Sequence, residues 1–140
     1  MNYRTMRQGF SLIEIIIAVA IMAIMALVVV PNLMQYVSNS RKDATTANVR
    51  AFETAINMFN VHTGQLPARL QDLVKKPADE RVARKWQGPY LLQREIPEDA
   101  WGNRFQYKVT PQGEHKYELY SYGPDGKGSP KAEWINVWDL

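Results

Sequence analysis

From Ile15 to Val30 every residue of this chain is apolar, and counted back to Phe10 the run reaches about the 20 residues that a helix needs to cross a bilayer's hydrocarbon core. The run therefore reads as a single spanning helix. Arg4 and Arg7 precede it and the next cations, Arg41 and Lys42, come well after it. Lys and Arg collect on the cytoplasmic side of a span, so the N-terminus is expected in the cytoplasm and the rest of the chain outside it. One residue breaks the pattern. Glu14 sits four positions past Phe10, and a lone carboxylate in a span costs about 2.5–3.5 kcal/mol on insertion scales. It needs either the headgroup interface, into which it can snorkel, or a cation at its own depth.

A cleaved secretory signal would place small residues after the apolar stretch, and Val28-Val29-Val30-Pro31 offers no such site. The apolar run is thus expected to be a retained anchor. Pro31 removes one backbone hydrogen bond and crowds the preceding turn, which predicts a kink or local melting over residues 27–31. Beyond it Leu33, Val37, Ala44, Ala47, Ala51, Ala55, Ile56 and Phe59 recur at helical spacing, with Arg41, Lys42, Asp43, Arg50 and Glu53 interleaved. Gly64 is the expected stop, with Pro67 behind it. At 1.5 Å per residue a helix over residues 10–62 is about 80 Å long. Such a helix is needed where a chain packs against copies of itself or a scaffold, and the small residues at 44, 47, 51 and 55 permit close approach to the domain's own sheet or to a neighbouring helix.

The second half is dense in Gly, Pro and aromatics. Residues 66–74 read as a short helix with Pro67 in its first turn and Leu70, Leu73 and Val74 on one face. Residues 75–85 are mostly polar and read as a surface loop. Large aromatics beside Gly and Pro in residues 86–91 and 96–102 suggest ordered loop packed on the domain. Residues 105–109 and part of 117–122 alternate, and with Thr110-Pro111-Gln112-Gly113-Glu114 between them they predict an antiparallel hairpin. Residues 134–138 read as a last strand.

Composition narrows the function classes. At 140 residues there is room for one modest domain beside the span. The net charge is +3, or +1 without the two leader arginines, which is no nucleic-acid footprint. There is no Cys, so an exported domain must be held by its core, a metal or its neighbours. His62 and His115 are the only histidines and neither has neighbours at metal-ligand spacing. Glu98-Asp99 is an acidic pair beside Trp101, but adjacent loop residues need not converge. No phosphate loop or nucleophile motif appears, so the chain is read as a non-enzyme.

The N-terminal stretch Gly9-Phe10-Ser11-Leu12-Ile13-Glu14 followed by the apolar run resembles the class III signal of type IV pilins and type II secretion pseudopilins. The resemblance implies a leader peptide at residues 1–9, a transmembrane and assembly helix at 10–31 and a periplasmic domain at 32–140. It implies that a prepilin peptidase cuts between Gly9 and Phe10, that the Phe10 amine is methylated, and that Phe10 and Glu14 serve assembly. Pro31 matches the family's helix kink. Gly64-Gln65-Leu66-Pro67, Gly88-Pro89-Tyr90-Leu91, the segment from Pro97 to Trp101-Gly102, and Tyr120-Ser121-Tyr122-Gly123-Pro124-Asp125-Gly126 are similar to the major, G-type pseudopilins. That likeness implies an α+β, pilin-like fold: a long N-terminal helix packed on a small antiparallel sheet, with loop-rich segments. The implied role is a structural subunit that polymerises in the bacterial inner membrane with itself, minor pseudopilins and the assembly platform to drive export of folded proteins. A type IV pilin for adhesion, motility or DNA uptake is the alternative, and a single-span protein with a ligand-binding periplasmic domain is a third reading that leaves Gly9, Phe10 and Glu14 unexplained as a set.

The family's loop also implies calcium, a hard cation that wants several carboxylate and carbonyl oxygens. At matching positions Asp125 supplies a carboxylate and Tyr122 a backbone carbonyl, and Glu133 is the next available acid. Lys127 and Lys131 oppose a cation there, and Trp134 or Trp138 packing over the loop is the other way to fix it. For Asp125 a plain turn role before Gly126 stays open.

Overall fold

Helix α1 runs unbroken over Leu12–Thr63, 52 residues, in a computed structural model that describes residues 9–140. The leader expected at residues 1–9, apart from Gly9, and with it Arg4 and Arg7, lies outside the described residues. Gly64 ends the helix as its sequence predicts. Its φ of +80° is open to glycine at little cost, and its N–H bonds the Asn60 carbonyl at 2.8 Å. The chain divides into two compact units, Met1–Ser38 and Asn39–Leu140. In the first, every described residue is exposed, the apolar run included.

In the second unit the core begins on one face of α1. Thr45, Val49, Phe52, Ala55, Ile56, Phe59 and Thr63 are its buried residues, spaced three and four apart. Ala44, Ala47 and Ala51 are exposed instead. Of the small residues expected to approach the domain's own sheet or a neighbouring helix, only Ala55 is in the core, where the larger Phe52, Ile56 and Phe59 bury more apolar area. Phe52 meets Phe105 edge-on with centroids 4.9 Å apart, and Phe59 meets Tyr90 at 5.7 Å.

The sheet is antiparallel with order β1-β2-β3: β1 is Gln106–Val109, β2 Tyr117–Ser121 and β3 Ile135–Asn136. Tyr107 pairs with Leu119 and Ser121 with Ile135. Along β2 the alternation is strict, with Tyr117, Leu119 and Ser121 buried and Glu118 outside. The expected hairpin is therefore present. The expected last strand is shorter than residues 134–138, because the Asn136 side chain accepts the Trp138 N–H and turns Val137–Asp139 into a 3₁₀ turn.

Two connecting segments differ from their sequence patterns. Residues 66–74 hold only a 3₁₀ turn, Leu70–Leu73. The Trp86 indole N–H takes the Asp72 carbonyl at 2.9 Å and the Tyr90 N–H takes that of Leu73 at 2.7 Å, while Pro77 has no N–H with which to extend a helix. Within residues 75–85 a short helix, α2, spans Glu80–Lys85. Asp79 caps it, accepting from Arg81 N at 2.8 Å and Val82 N at 3.4 Å. One buried residue, Val82, gives too little periodicity for the pattern to reveal it.

Candidate functional site

At the start of α1, Ser11 precedes the first helical residue and Glu14 stands at its third position. Glu14 Oε2 accepts the Ser11 backbone N–H at 3.0 Å. This is the returning half of a capping box, and Ser11-x-x-Glu14 is its sequence signature, a signal that the resemblance to a processing motif overshadowed. The carboxylate also lies where the helix dipole favours negative charge. Phe10 is 84% exposed. Gly9, Phe10 and Glu14 are thus brought together at one exposed helix end, whose next residues offer apolar side chains on every side.

Pro31 lies inside α1, which is helical through residues 27–31. The missing Pro31 N–H leaves the Leu27 carbonyl without its usual partner. One residue on, the Asn32 side-chain amide donates to the Val28 carbonyl at 3.0 Å and reinforces the same turn. α1 is long and apolar enough to cross a membrane.

The loop at residues 97–103 is organised by Asp99, which its place in an acidic loop pair did not mark as convergent with anything. Asp99 is buried, whereas its neighbour Glu98 is exposed. Asp99 Oδ1 accepts Trp101 N at 3.0 Å and Asn103 N at 2.8 Å, and Oδ2 accepts the Ser121 hydroxyl at 2.6 Å. Ser121 Oγ in turn accepts Gly123 N at 3.0 Å, and Ala100 N donates to Thr45 of α1 at 3.1 Å. One carboxylate therefore joins the 97–103 loop to the end of β2, and the next residue joins it to the helix. The stretch Asp99-Ala100-Trp101-Gly102-Asn103, a side-chain acceptor ahead of a Gly-Asn turn, is the local cue for Asp99 as a turn anchor.

Asp125 and Glu133, expected to hold calcium, are both exposed, and among the described residues no three Asp, Glu or His side chains gather where an ion could sit. The Tyr122 carbonyl already accepts the Ser129 hydroxyl at 2.6 Å. These residues do not form the oxygen-lined cradle of six to eight ligands that calcium takes. Trp134 covers the loop instead, stacked on Tyr120 with centroids 4.4 Å apart and planes 6° from parallel. Burial and the neighbouring Tyr122 push the Tyr120 phenol up to about 12, so it stays neutral near pH 7. Trp138 serves elsewhere, donating to the Tyr117 carbonyl at 2.8 Å and stacking on His115. His62 pairs with the Tyr90 hydroxyl at 3.1 Å. Both histidines are engaged in packing.

Comparison with known proteins agrees with this geometry. The profile of the family described as "Type II secretion system (T2SS), protein G" matches residues 32–138, and that of the "Prokaryotic N-terminal methylation motif" matches residues 4–30. The type II secretion system core protein G of Pseudomonas aeruginosa is 33% identical over 97% of this chain and 98% of its own length. That of Dickeya chrysanthemi is 34% identical over 96% and 88%. Among solved structures, the major pseudopilin from the type 2 secretion system of enterohaemorrhagic Escherichia coli superposes with a TM-score of 0.62 at 27% identity, covering 81% of this chain and 99% of that one. With the helix, the three-stranded sheet and the N-terminal motif all in register, the chain belongs to the type II secretion system protein G family of pseudopilins.

Proposed function

We infer that the chain is a structural subunit of the type II secretion pseudopilus, and that its Phe10–Glu14 end is the contact through which subunits add. The observation that carries this reading is the exposed apolar half of α1 with one carboxylate at its start. An apolar surface of that extent in water is a liability, so it belongs in lipid or against other helices. The reading as an adhesion or motility pilin is set aside because the match to the protein G family lies over residues 32–138, the half in which the two classes differ.

Prepilin peptidase cleavage between Gly9 and Phe10 frees an amine four residues from Glu14, and methylation leaves that amine cationic. A carboxylate has about four acceptor sites, so the bond from Ser11 leaves capacity for a neighbour's Phe10 amine. Pairing lowers the cost of both charges in the membrane and sets an axial step between subunits, even where its net contribution to stability is small. The apolar residues behind it supply packing without register. The mature subunit waits in the inner membrane with Phe10 facing the cytoplasm and residues 32–140 in the periplasm, and adds to the filament at the assembly platform, with minor pseudopilins as further partners.

Deleting the gene in its host tests the role. Folded exported proteins are then expected to stay in the periplasm and to return to the medium on complementation. Normal secretion with loss of surface pili would assign the chain to the pilus class instead.

A further inference from the structure

In the loop from Tyr122 to Trp134 the carbonyl oxygens of Tyr122, Gly123, Gly126 and Ser129 face hydrogen-bond donors. The Tyr122 carbonyl accepts the Ser129 hydroxyl at 2.6 Å, and that of Gly123 accepts Gly126 N at 3.3 Å and the Asn103 amide at 3.4 Å. Ser129 N donates to the Gly126 carbonyl at 3.1 Å. The Trp134 indole N–H lies 3.0 Å from the Ser129 carbonyl and 3.1 Å from its hydroxyl oxygen. A divalent cation organises a loop by drawing such oxygens around one positive centre. Here O–H and N–H groups of the chain supply that positive end to these four oxygens.

The surroundings favour the same solution. Lys127 and Lys131 bring positive charge, and Lys131 Nζ stands 5.8 Å from the centre of the Trp134 ring. The indole is held by Tyr120 against one face and by Tyr122 edge-on at 5.2 Å. Gly123, at φ +78°, lets the two ends of the loop meet: a Cβ there would fall 2.6 Å from the Glu133 carbonyl oxygen.

We propose that this chain closes its C-terminal loop with a metal-free clasp, in which Ser129 and Trp134 take the place of a divalent cation. The clasp joins the end of β2 to the segment before β3, and so closes the sheet without calcium or a disulfide. Its operation does not depend on the filament role.

Thermal unfolding of the full-length protein in detergent tests the proposal. The wild type is expected to melt at one temperature in EDTA and in millimolar calcium chloride. Ser129→Ala, which removes the clasp hydroxyl, and Trp134→Phe, which keeps a ring against Tyr120 but removes the N–H, are each expected to lower the midpoint by about 4–8 °C, the size of one lost hydrogen bond in a domain of this length. A wild-type midpoint that falls in EDTA and recovers with calcium overturns the proposal, as does either variant melting with the wild type. Should a variant fail to fold, the chelation comparison on the wild type still decides.

Discussion

Glu14 shows how one side chain can hold two roles in turn. In the single chain it accepts the Ser11 backbone N–H, the returning half of a capping box, and in the proposed assembly contact it is the counter-charge for an incoming amine. Glu14→Gln keeps the shape and can still accept from Ser11 N, but it carries no charge. The variant is expected to be processed and inserted as the wild type is, yet to build few filaments and to block secretion; abundant filaments of normal length, seen by electron microscopy of sheared cells, would reduce Glu14 to an interfacial residue. Asp99 is the opposite case, a carboxylate whose work is internal. Asp99→Asn retains the acceptor for Trp101 and Asn103 but presents an amide to the Ser121 hydroxyl, whose oxygen already accepts Gly123 N. The substitution is expected to cost about 1–3 kcal/mol, measured by denaturant unfolding. A midpoint equal to the wild type's would show that the loop is held without it. Sequence alone marked only the first of these two acids. The Glu14 environment is written in the surrounding apolar run, whereas Asp99 acquires its partners from β2 and the 101–103 turn.

At the scale of elements, α1 is one helix with two kinds of neighbour. Its residues from 45 onward turn a face to the core, and those from 12 to 38 are exposed. Pro31 stands in the exposed stretch, where the single chain keeps its helix with help from Asn32. Packing among copies is where that turn is expected to open, because a helix already short of one hydrogen bond is the cheapest to unwind. Amide exchange around residues 28–33 should therefore be faster in filaments than in detergent-solubilised monomer, and Pro31→Ala should slow it in the filament while altering assembly more than folding. Equal exchange in both states would locate the adaptation elsewhere. The helix and hairpin were legible because each repeats its pattern over several residues. α2 and the 3₁₀ turn at Leu70–Leu73 were not, since a single buried Val82 and two captured carbonyls leave no period to read.

For the whole molecule, processing is proposed as the first event, and intact-mass measurement of membrane-extracted protein is expected to show loss of residues 1–9 and gain of one methyl group. A mature species that keeps the leader would remove the amine on which the assembly contact rests. The features that this chain's sequence determined by itself are those that depend on neighbours along the chain: the span, the motif around Gly9 and Phe10, the long helix and its stop at Gly64, and the hairpin. They arise from local periodicity and backbone chemistry, which a linear string records. Tertiary structure decided which face of α1 is covered, that Asp99 rather than Glu98 is buried, and that Ser129 and Trp134 meet the carbonyls of the C-terminal loop. Each of those depends on groups that folding brings together from distant positions, as with Ala100 and Thr45, and desolvation then requires that every buried polar group find a partner there. No spacing within a single segment encodes such a meeting.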